Sequence, residues 1–338
     1  MGAFELTYRG RFDAVLSNTM TRSLSVIILT FNEEANLAAA LDSVKGWAEE
    51  VFVVDSYSTD RTVDIALERA ADGVRVVQHR FKNYSDQWNW ALSHLPVSSE
   101  WTLKLDADER VTPAFKKEVD TLLDSAPPDL HGVQFRRHCI FMGAPLRFAW
   151  VLGHDLRLWR TGKAVFEKRS VNEHALVQGR VASLKNYVEH HNTKSIADWL
   201  DKHNRYSSLE ASSLIQGNLT GGVKPRLFGS PTERRMWLRK WYYRVPGRPL
   251  FYFLYLYFVR LGLLDGLAGF RFSFLHASYM YWIDLKRAEY RLTGEFPALI
   301  WPARGEPHPL VADSELQWQV DAIPSVSEPN NHPKSLNP

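Results

Sequence analysis

The sequence predicts an α/β fold in which helices flank a mostly parallel sheet. Over the first 110 residues or so, short apolar runs of strand length alternate with stretches of helical periodicity, an alternation typical of βαβ units with right-handed crossovers. Polar and acidic clusters follow three of the predicted strands, at the ends where such sheets bind ligands. At 338 residues the chain has room for this domain and an appended region.

Each predicted element follows from a local pattern. β-branched and apolar runs bounded by polar turns predict four strands: Leu24–Thr30, Glu50–Val54, Val74–Val77 and the run that starts at Trp101. Apolar stripes at helical spacing predict three helices between them, over residues 35–44, 63–70 and 85–94. The alternation stops after residue 129, where Gly132–Arg137 and Cys139–Met142 form either one further strand or a pair.

The fourth strand ends in two aspartates, Asp106 and Asp108, that are one residue apart. In extended backbone, side chains at i and i+2 point the same way, so both carboxylates are expected to aim at one point. They repel unless a cation lies between them, and a hard divalent ion, Mg²⁺ or Mn²⁺, prefers oxygen ligands and shares them with phosphates. The alternative is a solvated acidic turn.

Two further polar clusters favour the metal site. Thr30–Glu34 and Asp55–Asp60 follow the first and second strands, and parallel strands end at the same edge of a sheet. The sequence has no G-x-G-x-x-G after the first strand and no phosphate loop ending in Gly-Lys-Ser/Thr. Neutralisation of a bound diphosphate would therefore fall to a cation.

In order and spacing, Thr30–Glu34, Asp55–Asp60 and Leu105–Glu109 resemble the motifs of family 2 glycosyltransferases with the GT-A fold. The resemblance covers about residues 24–190, and downstream features resemble the bacterial subgroup that builds lipopolysaccharide core or exopolysaccharide. It implies an inverting, metal-dependent transfer of a sugar from a nucleotide sugar, with UDP as the expected nucleotide, to a lipid-linked saccharide.

The same resemblance assigns roles to individual residues. Asp55 would hydrogen-bond the nucleotide base, Asp106 would lie near the ribose and the metal, and Asp108 would hold the metal that bridges the diphosphate. Phe31 stands where the family often has tyrosine. The other residues expected to bind the nucleotide sugar are Thr30, Asn32, Glu33, Asp60, Lys82 and Gln87.

Sugar transfer also needs a base that takes the proton of the acceptor hydroxyl. The resembling subgroup commonly has His-Glu where this chain has Asn172 and Glu173, so Glu173 is the first candidate and Asp155 the second. A surface ion pair with neighbouring basic residues is the alternative for Glu173. The tandem histidines His190 and His191 lack a second ligand pair at zinc spacing and are interpreted as structural.

Beyond residue 190 the composition becomes basic and aromatic. A helix is predicted over 195–216, and the apolar run Leu250–Val259 is too short to span a bilayer, which needs about 20 residues. It suits a helix in the interface of an anionic membrane; a buried helix or an interface between copies of the chain is the alternative. The residues expected at the lipid are Arg234, Arg235, Trp237, Arg239, Lys240, Trp241 and Arg244.

The predicted organisation has four parts: a lead-in (1–22), a nucleotide-sugar-binding and catalytic domain (23–190), a helical membrane-surface and acceptor region (191–302), and a largely disordered tail with six prolines (303–338). The one cysteine, Cys139, excludes an intrachain disulfide, and the first 23 residues show no secretory signal. We therefore expect a cytoplasmic protein, peripheral on the inner face of the plasma membrane. The sequence leaves open whether the protein forms a homo-oligomer.

Three other functions are weighed against glycosyl transfer. A nucleotidyltransferase also holds a metal with carboxylates on an α/β sheet, but it usually has a basic, glycine-rich loop where this chain has the acidic Thr30–Glu34. A non-catalytic membrane-surface scaffold is the non-enzymatic rival. Basic-aromatic segments can also bind nucleic acid. We do not expect this here, because a lipid carrier is a more consistent partner than nucleic acid for a protein with a nucleotide-sugar site.

Overall fold

The structure is a computed structural model that describes residues 22–150, 153–167, 174–192, 194–217, 226–228, 234, 237, 241–243 and 245–322. Several of the predictions fall on residues outside these ranges: the lead-in up to residue 21, Glu173, Arg235, Arg239, Lys240, Arg244 and the tail from residue 323.

Four parallel strands form one half of the central sheet, in the order β3-β2-β1-β4. Their bounds are Arg22–Thr30 (β1), Ala48–Asp55 (β2), Val74–Gln78 (β3) and Trp101–Asp106 (β4). The helices that connect or follow them are Leu37–Val44 (α1), Thr62–Leu67 (α2), Tyr84–His94 (α3) and Pro113–Asp124 (α4). The predicted alternation of strands and helices is confirmed.

The sheet is covered on both faces because side chains on β1 alternate between two apolar layers. Val26 and Ile28 pack in the layer that contains Phe115 of α4, whereas Ile27 packs in the layer that contains Trp88 of α3. All three β1 side chains are 0% exposed. Burial on both faces explains why this strand reads as an unbroken apolar run.

The other half of the sheet is mixed and brings distant residues to the end of β4. Its strands are Glu109–Val111 (β5), Leu130–Phe141 (β6), Ala144–Leu146 (β7), Asp155–Arg160 (β8) and Arg180–Asn192 (β11), and a separate hairpin is formed by Ala164–Phe166 (β9) and Ala175–Val177 (β10). β8 pairs antiparallel with both β4 and β6, and β11 pairs parallel with β6 and antiparallel with β5. The sequence left open whether residues 132–142 form one strand or a pair; the structure has one strand, Leu130–Phe141.

The helical region follows the sheet. It consists of Ile196–Ile215 (α5), Arg248–Leu254 (α6) with a π-helical turn over Tyr255–Val259, a 3₁₀ turn over Gly262–Asp265, and Gly266–Thr293 (α7). Asp265 ties this region to the sheet domain, since its carboxylate accepts from the backbone N–H groups of Arg147, Phe148 and Ala149 at 2.8–3.0 Å.

No single helix in the described part of the chain is long and apolar enough to cross a membrane. Arg248–Val259 and Gly262–Thr293 meet that test of length and composition only as a pair, and the two are bent by 72° at the break between them.

The segment after α7 is ordered as far as residue 322 and contains Pro309–Ala312 (α8) and Glu315–Asp321 (α9). Val311 and Val320 are each 1% exposed. Gln317 accepts from the backbone N of Gln78 on β3 at 2.9 Å, and the backbone N of His308 donates to the Gln78 side chain at 2.7 Å. The prediction of a largely disordered tail was therefore wrong for residues 303–322, because a few long-range contacts anchor a segment whose composition is typical of disorder.

Candidate active site

The loops after β1 and β2 interlock at the carboxyl edge of the sheet. Asn32, whose φ of +52° lies in the left-handed region that asparagine tolerates, donates its backbone N–H to Ser58 Oγ at 2.9 Å and accepts from Thr59 N at 2.8 Å. Asp60 accepts from Glu34 N at 3.1 Å. Asn32 and Asp60, both predicted to bind the donor, hold the two loops together here.

Asp55 is fully buried at the end of β2. One carboxylate oxygen accepts from Thr30 Oγ1 at 3.0 Å and from Ser58 Oγ at 2.5 Å. The other accepts from Ser58 N and from Gln78 Nε2, both at 2.9 Å. These four bonds match the acceptor capacity of a carboxylate. In this conformation Asp55 and Thr30 fix the loop that follows β2. The Asp55 carboxylate has no acceptor site left for the predicted hydrogen bond with a nucleotide base.

Two arginines from the mixed half of the sheet neutralise carboxylates at the end of β4. Arg157 on β8 donates to Asp106 Oδ2 and to Glu109 Oε2, each at 2.5 Å. Arg137 on β6 lies 3.7 Å from Asp106 and 3.6 Å from Glu109, and it donates to Asp155 at 2.7 Å. We call Asp106, Glu109, Asp155, Arg137 and Arg157 the charge cluster. Asp106 is thus paired with arginine.

Burial and ion pairing shift the pKa values of Glu109 and Asp106 in opposite directions. Burial raises the pKa of Glu109 above its ordinary value, and Arg157 only partly opposes this. Burial would also raise the pKa of Asp106, but Arg157, Lys104 and Arg137 outweigh it and hold that pKa far below its usual range. Asp106 therefore stays ionised, and its negative charge is shared mainly with Arg157.

Asp108, the other member of the predicted pair, faces a histidine. β11 pairs antiparallel with β5, with His190 opposite Glu109, and this pairing brings His190 beside Asp108. The Nδ1 atom of His190 lies 3.2 Å from Oδ1 of Asp108, and neither buried atom has a hydrogen-bond partner among the described residues. Burial would raise the pKa of Asp108, but His190 lowers it to about 2.

Asp108 Oδ1 and His190 Nδ1, which face each other as an ion pair, fit as two ligands of a divalent ion when His190 is neutral. Neighbouring ligands of an octahedral ion bound at about 2.1 Å lie about 3 Å apart, close to the observed 3.2 Å. Among the described residues no group of three or more His, Cys, Asp or Glu side chains could hold a metal, so further ligands would come from substrate and water. The interpretation of His190 as purely structural missed this contact, because only the pairing of β5 with β11 reveals it.

Lysines bring positive charge to the same edge of the sheet. Lys194 lies 2.6 Å from Glu33 and donates to Asn32 O at 2.7 Å. Burial raises the pKa of Glu33, and Lys194 opposes that shift. Lys202 on α5 acts with His190 to lower the pKa of Asp108. α5 therefore supplies a cation close to the carboxylates of the sheet edge.

The remaining predicted residues have separate surroundings. Gln87 is buried, and its Oε1 accepts from His79 Nδ1 at 2.9 Å. The exposed Lys82 lies 3.8 Å from Asp86. Of the residues predicted to contact lipid, Trp237 and Trp241 lie with ring centroids 5.8 Å apart, and Arg234 is exposed.

Replacing Arg157 with alanine should lower the free energy of unfolding by about 3–5 kcal/mol, because it removes the nearest cation from two carboxylates at the end of β4 and leaves only the more distant Arg137. Urea unfolding of the purified variant measures this. Arg180→Ala is the matched control, since the Arg180–Asp129 ion pair spans 3.6 Å between side chains that are more than half exposed, and such pairs contribute about 0–1 kcal/mol. Equal losses in the two variants would contradict the role given to Arg157.

Sequence comparisons show which protein family and which proteins this chain resembles. Residues 25–144 match the family model described as glycosyl transferase family 2. An uncharacterized glycosyltransferase of Rickettsia typhi is 30% identical over 230 residues, which are 65% of this chain and 76% of that protein. The lipopolysaccharide core biosynthesis glycosyltransferase LpsC of Rhizobium meliloti is 27% identical over 270 residues, 76% of this chain and 92% of that protein.

Solved structures show weaker likenesses. The mannosyltransferase PcManGT from Pyrobaculum calidifontis, in complex with GDP-Man and Mn²⁺, matches 80% of this chain and 88% of its own at 16% identity with a TM-score of 0.45. Glucosyl-3-phosphoglycerate synthase from Mycobacterium tuberculosis, in complex with Mn²⁺, UDP and glucosyl-3-phosphoglycerate, matches 34% of this chain and 44% of its own at 26% identity with a TM-score of 0.28. On the sequence relatives and the matched motif region, the chain belongs to glycosyltransferase family 2 and has the predicted GT-A fold.

Proposed function

We propose that this glycosyltransferase moves a sugar from a nucleotide sugar, with UDP as the expected nucleotide, to a lipid-linked saccharide of lipopolysaccharide core or exopolysaccharide. The single observation that carries the donor site is the pair Asp108 and His190, whose Oδ1 and Nδ1 atoms face each other across 3.2 Å at the carboxyl edge of the sheet. The likeness to LpsC over 76% of the chain supports the acceptor class.

A divalent ion held by Asp108 and His190 would supply positive charge to the diphosphate leaving group, usually the largest contribution in such a transfer. A carboxylate and an imidazole together favour Mn²⁺ over Mg²⁺, because Mg²⁺ prefers oxygen ligands alone. Asp106, which is paired with Arg157, would act indirectly by fixing the strand end that carries Asp108.

The proposed reaction is a single in-line displacement. The acceptor hydroxyl attacks the anomeric carbon as the bond from that carbon to the diphosphate breaks, which inverts the anomeric configuration. Lys202, one of the cations that lower the pKa of Asp108, would balance the negative charge of the leaving diphosphate. Arginine and lysine near a transferring group act in this way without a covalent step.

The acceptor proton needs a base, for which Glu173 remains the first candidate and Asp155 the second. Asp155 already accepts from Arg137 at 2.7 Å, so it would have to leave or share that arginine to take a proton. Turnover of Glu173→Gln and Asp155→Asn, with donor binding retained in both, separates the two candidates.

We further propose that the protein binds the membrane through an apolar wedge formed at the bend between α6 and α7. Seven large apolar side chains there are each more than half exposed: Leu250, Phe251, Phe258, Val259, Leu264, Leu267 and Phe274. The exposed Arg260 and Arg271 lie among them, and the one acid between residues 248 and 283, Asp265, is bonded to backbone amides. Apolar side chains interspersed with arginine suit an anionic lipid interface.

His190→Ala should weaken Mn²⁺-dependent binding of UDP at least about 100-fold, because even the loss of an outer-shell partner costs 10–100-fold in metal affinity. Isothermal titration of UDP with and without Mn²⁺ measures this. His191→Ala is the matched control, since His191 pairs with Glu189 at 2.9 Å instead.

Three results would redirect the proposal. Unchanged UDP binding in His190→Ala would remove His190 from the metal site. Absence of any metal-dependent UDP binding in the unmodified protein would favour the scaffold. Release of pyrophosphate from a nucleoside triphosphate and a sugar phosphate would favour the nucleotidyltransferase.

The double variant Leu264→Ser, Leu267→Ser should bind phosphatidylglycerol-containing vesicles at least about 100-fold more weakly, because a leucine side chain fully buried in lipid contributes about 1.5–3 kcal/mol and two are lost. Vesicle sedimentation measures the affinity. The control pair is Val165→Ser, Leu176→Ser, whose side chains are 55% and 50% exposed on the β9–β10 hairpin. Undiminished sedimentation of the Leu264, Leu267 variant would show that the wedge does not face lipid.

A further inference from the structure

The ordered segment after α7 crosses the carboxyl edge of the sheet over the loop that follows β2. We call residues 301–306 the strap. The backbone N of Gly305 donates to Tyr57 O at 2.8 Å. A Cβ at Gly305 would lie 2.9 Å from Ser58 O, so only glycine allows the strap to run this close. The strap and the β2 loop are in direct backbone contact.

Arg304 projects from the strap into the region expected to hold the nucleoside. Its guanidinium lies over the ring of Phe31 at 3.9 Å and over that of Phe81 at 5.0 Å, both measured from Cζ to the ring centroid. Its Nη1 donates to Ser56 O at 2.5 Å. Trp301 adds an edge contact to Phe81, with the ring centroids 5.6 Å apart. The guanidinium therefore contacts two aromatic rings beside the end of β2.

Most of the donor capacity of Arg304 is left over. A guanidinium carries five N–H donors, and among the described residues Ser56 O is the one acceptor recorded for Arg304. Asp55, by contrast, has all its acceptor sites used by Thr30, Ser58 and Gln78. Arg304 therefore keeps donors with which to recognise a polar ligand at the end of β2.

The strap is anchored as part of the domain. Val311 and Val320 are each 1% exposed, and Gln317, 7% exposed, bonds to the backbone of Gln78. These contacts lie on the β3 side of the sheet, away from Arg304 itself. A ligand entering at the end of β2 would therefore meet Arg304 as a fixed wall of its site.

We infer that the strap completes the nucleoside end of the donor site and that Arg304 binds the nucleobase. This inference rests on the proposed nucleotide-sugar donor. A planar guanidinium stacks on flat rings and donates to carbonyl oxygens, so Arg304 favours a base whose edge carries carbonyl groups, such as uracil, over adenine, which has none. Base selection would then depend on a residue far along the chain from the loop that the strap covers, since Arg304 and Ser56 are 248 residues apart.

The test compares three probes with Mn²⁺ present: UDP, ADP and inorganic pyrophosphate, which lacks a nucleoside. In the unmodified protein UDP should bind more tightly than ADP. Arg304→Ala should weaken UDP binding about ten- to hundredfold, the range for a lost hydrogen bond to a charged group, and leave pyrophosphate binding unchanged. Arg304→Lys keeps the charge but loses the plane, so it should restore UDP affinity only in part.

Two further variants separate Arg304 from the fold of the strap. Gly305→Ala should displace the strap and weaken UDP binding although Arg304 is still present. Glu306→Ala changes an exposed strap residue and should leave all three affinities unaltered. Thermal melting verifies that each variant is folded.

Unchanged or tighter UDP binding in a folded Arg304→Ala variant would overturn the inference, and tighter binding would mean that Arg304 occludes the site. Equal losses for UDP and pyrophosphate would also overturn it, since the arginine would then act on phosphate. If the unmodified protein binds neither UDP nor pyrophosphate with Mn²⁺, the proposed function itself fails, a result distinct from failure of the Arg304 assignment alone.

Discussion

The site depends on how the carboxylates at the end of β4 are neutralised. Three acidic side chains, Asp106, Asp108 and Glu109, are crowded into four residues. Arg157 takes Asp106 and Glu109 at 2.5 Å each. Because that arginine comes from β8, the antiparallel strand beside β4, the sheet topology itself decides which carboxylate is left for another cation. Asp108 is the one that meets a histidine instead of an arginine.

The β1 and β2 loops give the opposite end of the cleft its rigidity. Asn32, Asp55 and Asp60 use their polar atoms on neighbouring loop groups. The resemblance to family 2 glycosyltransferases assigns these residues to the nucleoside pocket. In this structure their side chains are hydrogen-bonded to other residues of the protein and would shape the walls of that pocket. A loop that is already fixed loses little conformational freedom when a ligand binds. Preorganisation of this kind is consistent with residues that position a nucleotide without each touching it.

Local pattern was enough to predict the parallel half of the sheet. The run Leu24–Thr30 is buried on both faces as its composition indicated, and the acidic clusters after β1, β2 and β4 do lie on adjacent strands. The i, i+2 argument for Asp106 and Asp108 assumes extended backbone, but β4 ends at Asp106. Asp106 pairs with Arg157, whereas Asp108 faces His190.

The rest of the site could not be predicted because it is built from contacts distant in sequence. Arg157 lies 51 residues from Asp106, and Gln317 lies 239 residues from Gln78. No spacing rule connects such positions. Composition also misled at the C-terminus, where prolines and few apolar residues are typical of disorder. Buried Val311 and Val320 and the hydrogen bonds of Gln317 and His308 to Gln78 anchor this segment.

The most direct measurement of the central claim is anomalous scattering from crystals soaked with UDP and MnCl₂. The account predicts a manganese peak bonded to Oδ1 of Asp108 and Nδ1 of His190 and to oxygens of the diphosphate, with Asp106 still bound to Arg157. A peak held by Asp106 in place of His190, or bound UDP with no peak while His190 still faces Asp108, would contradict it.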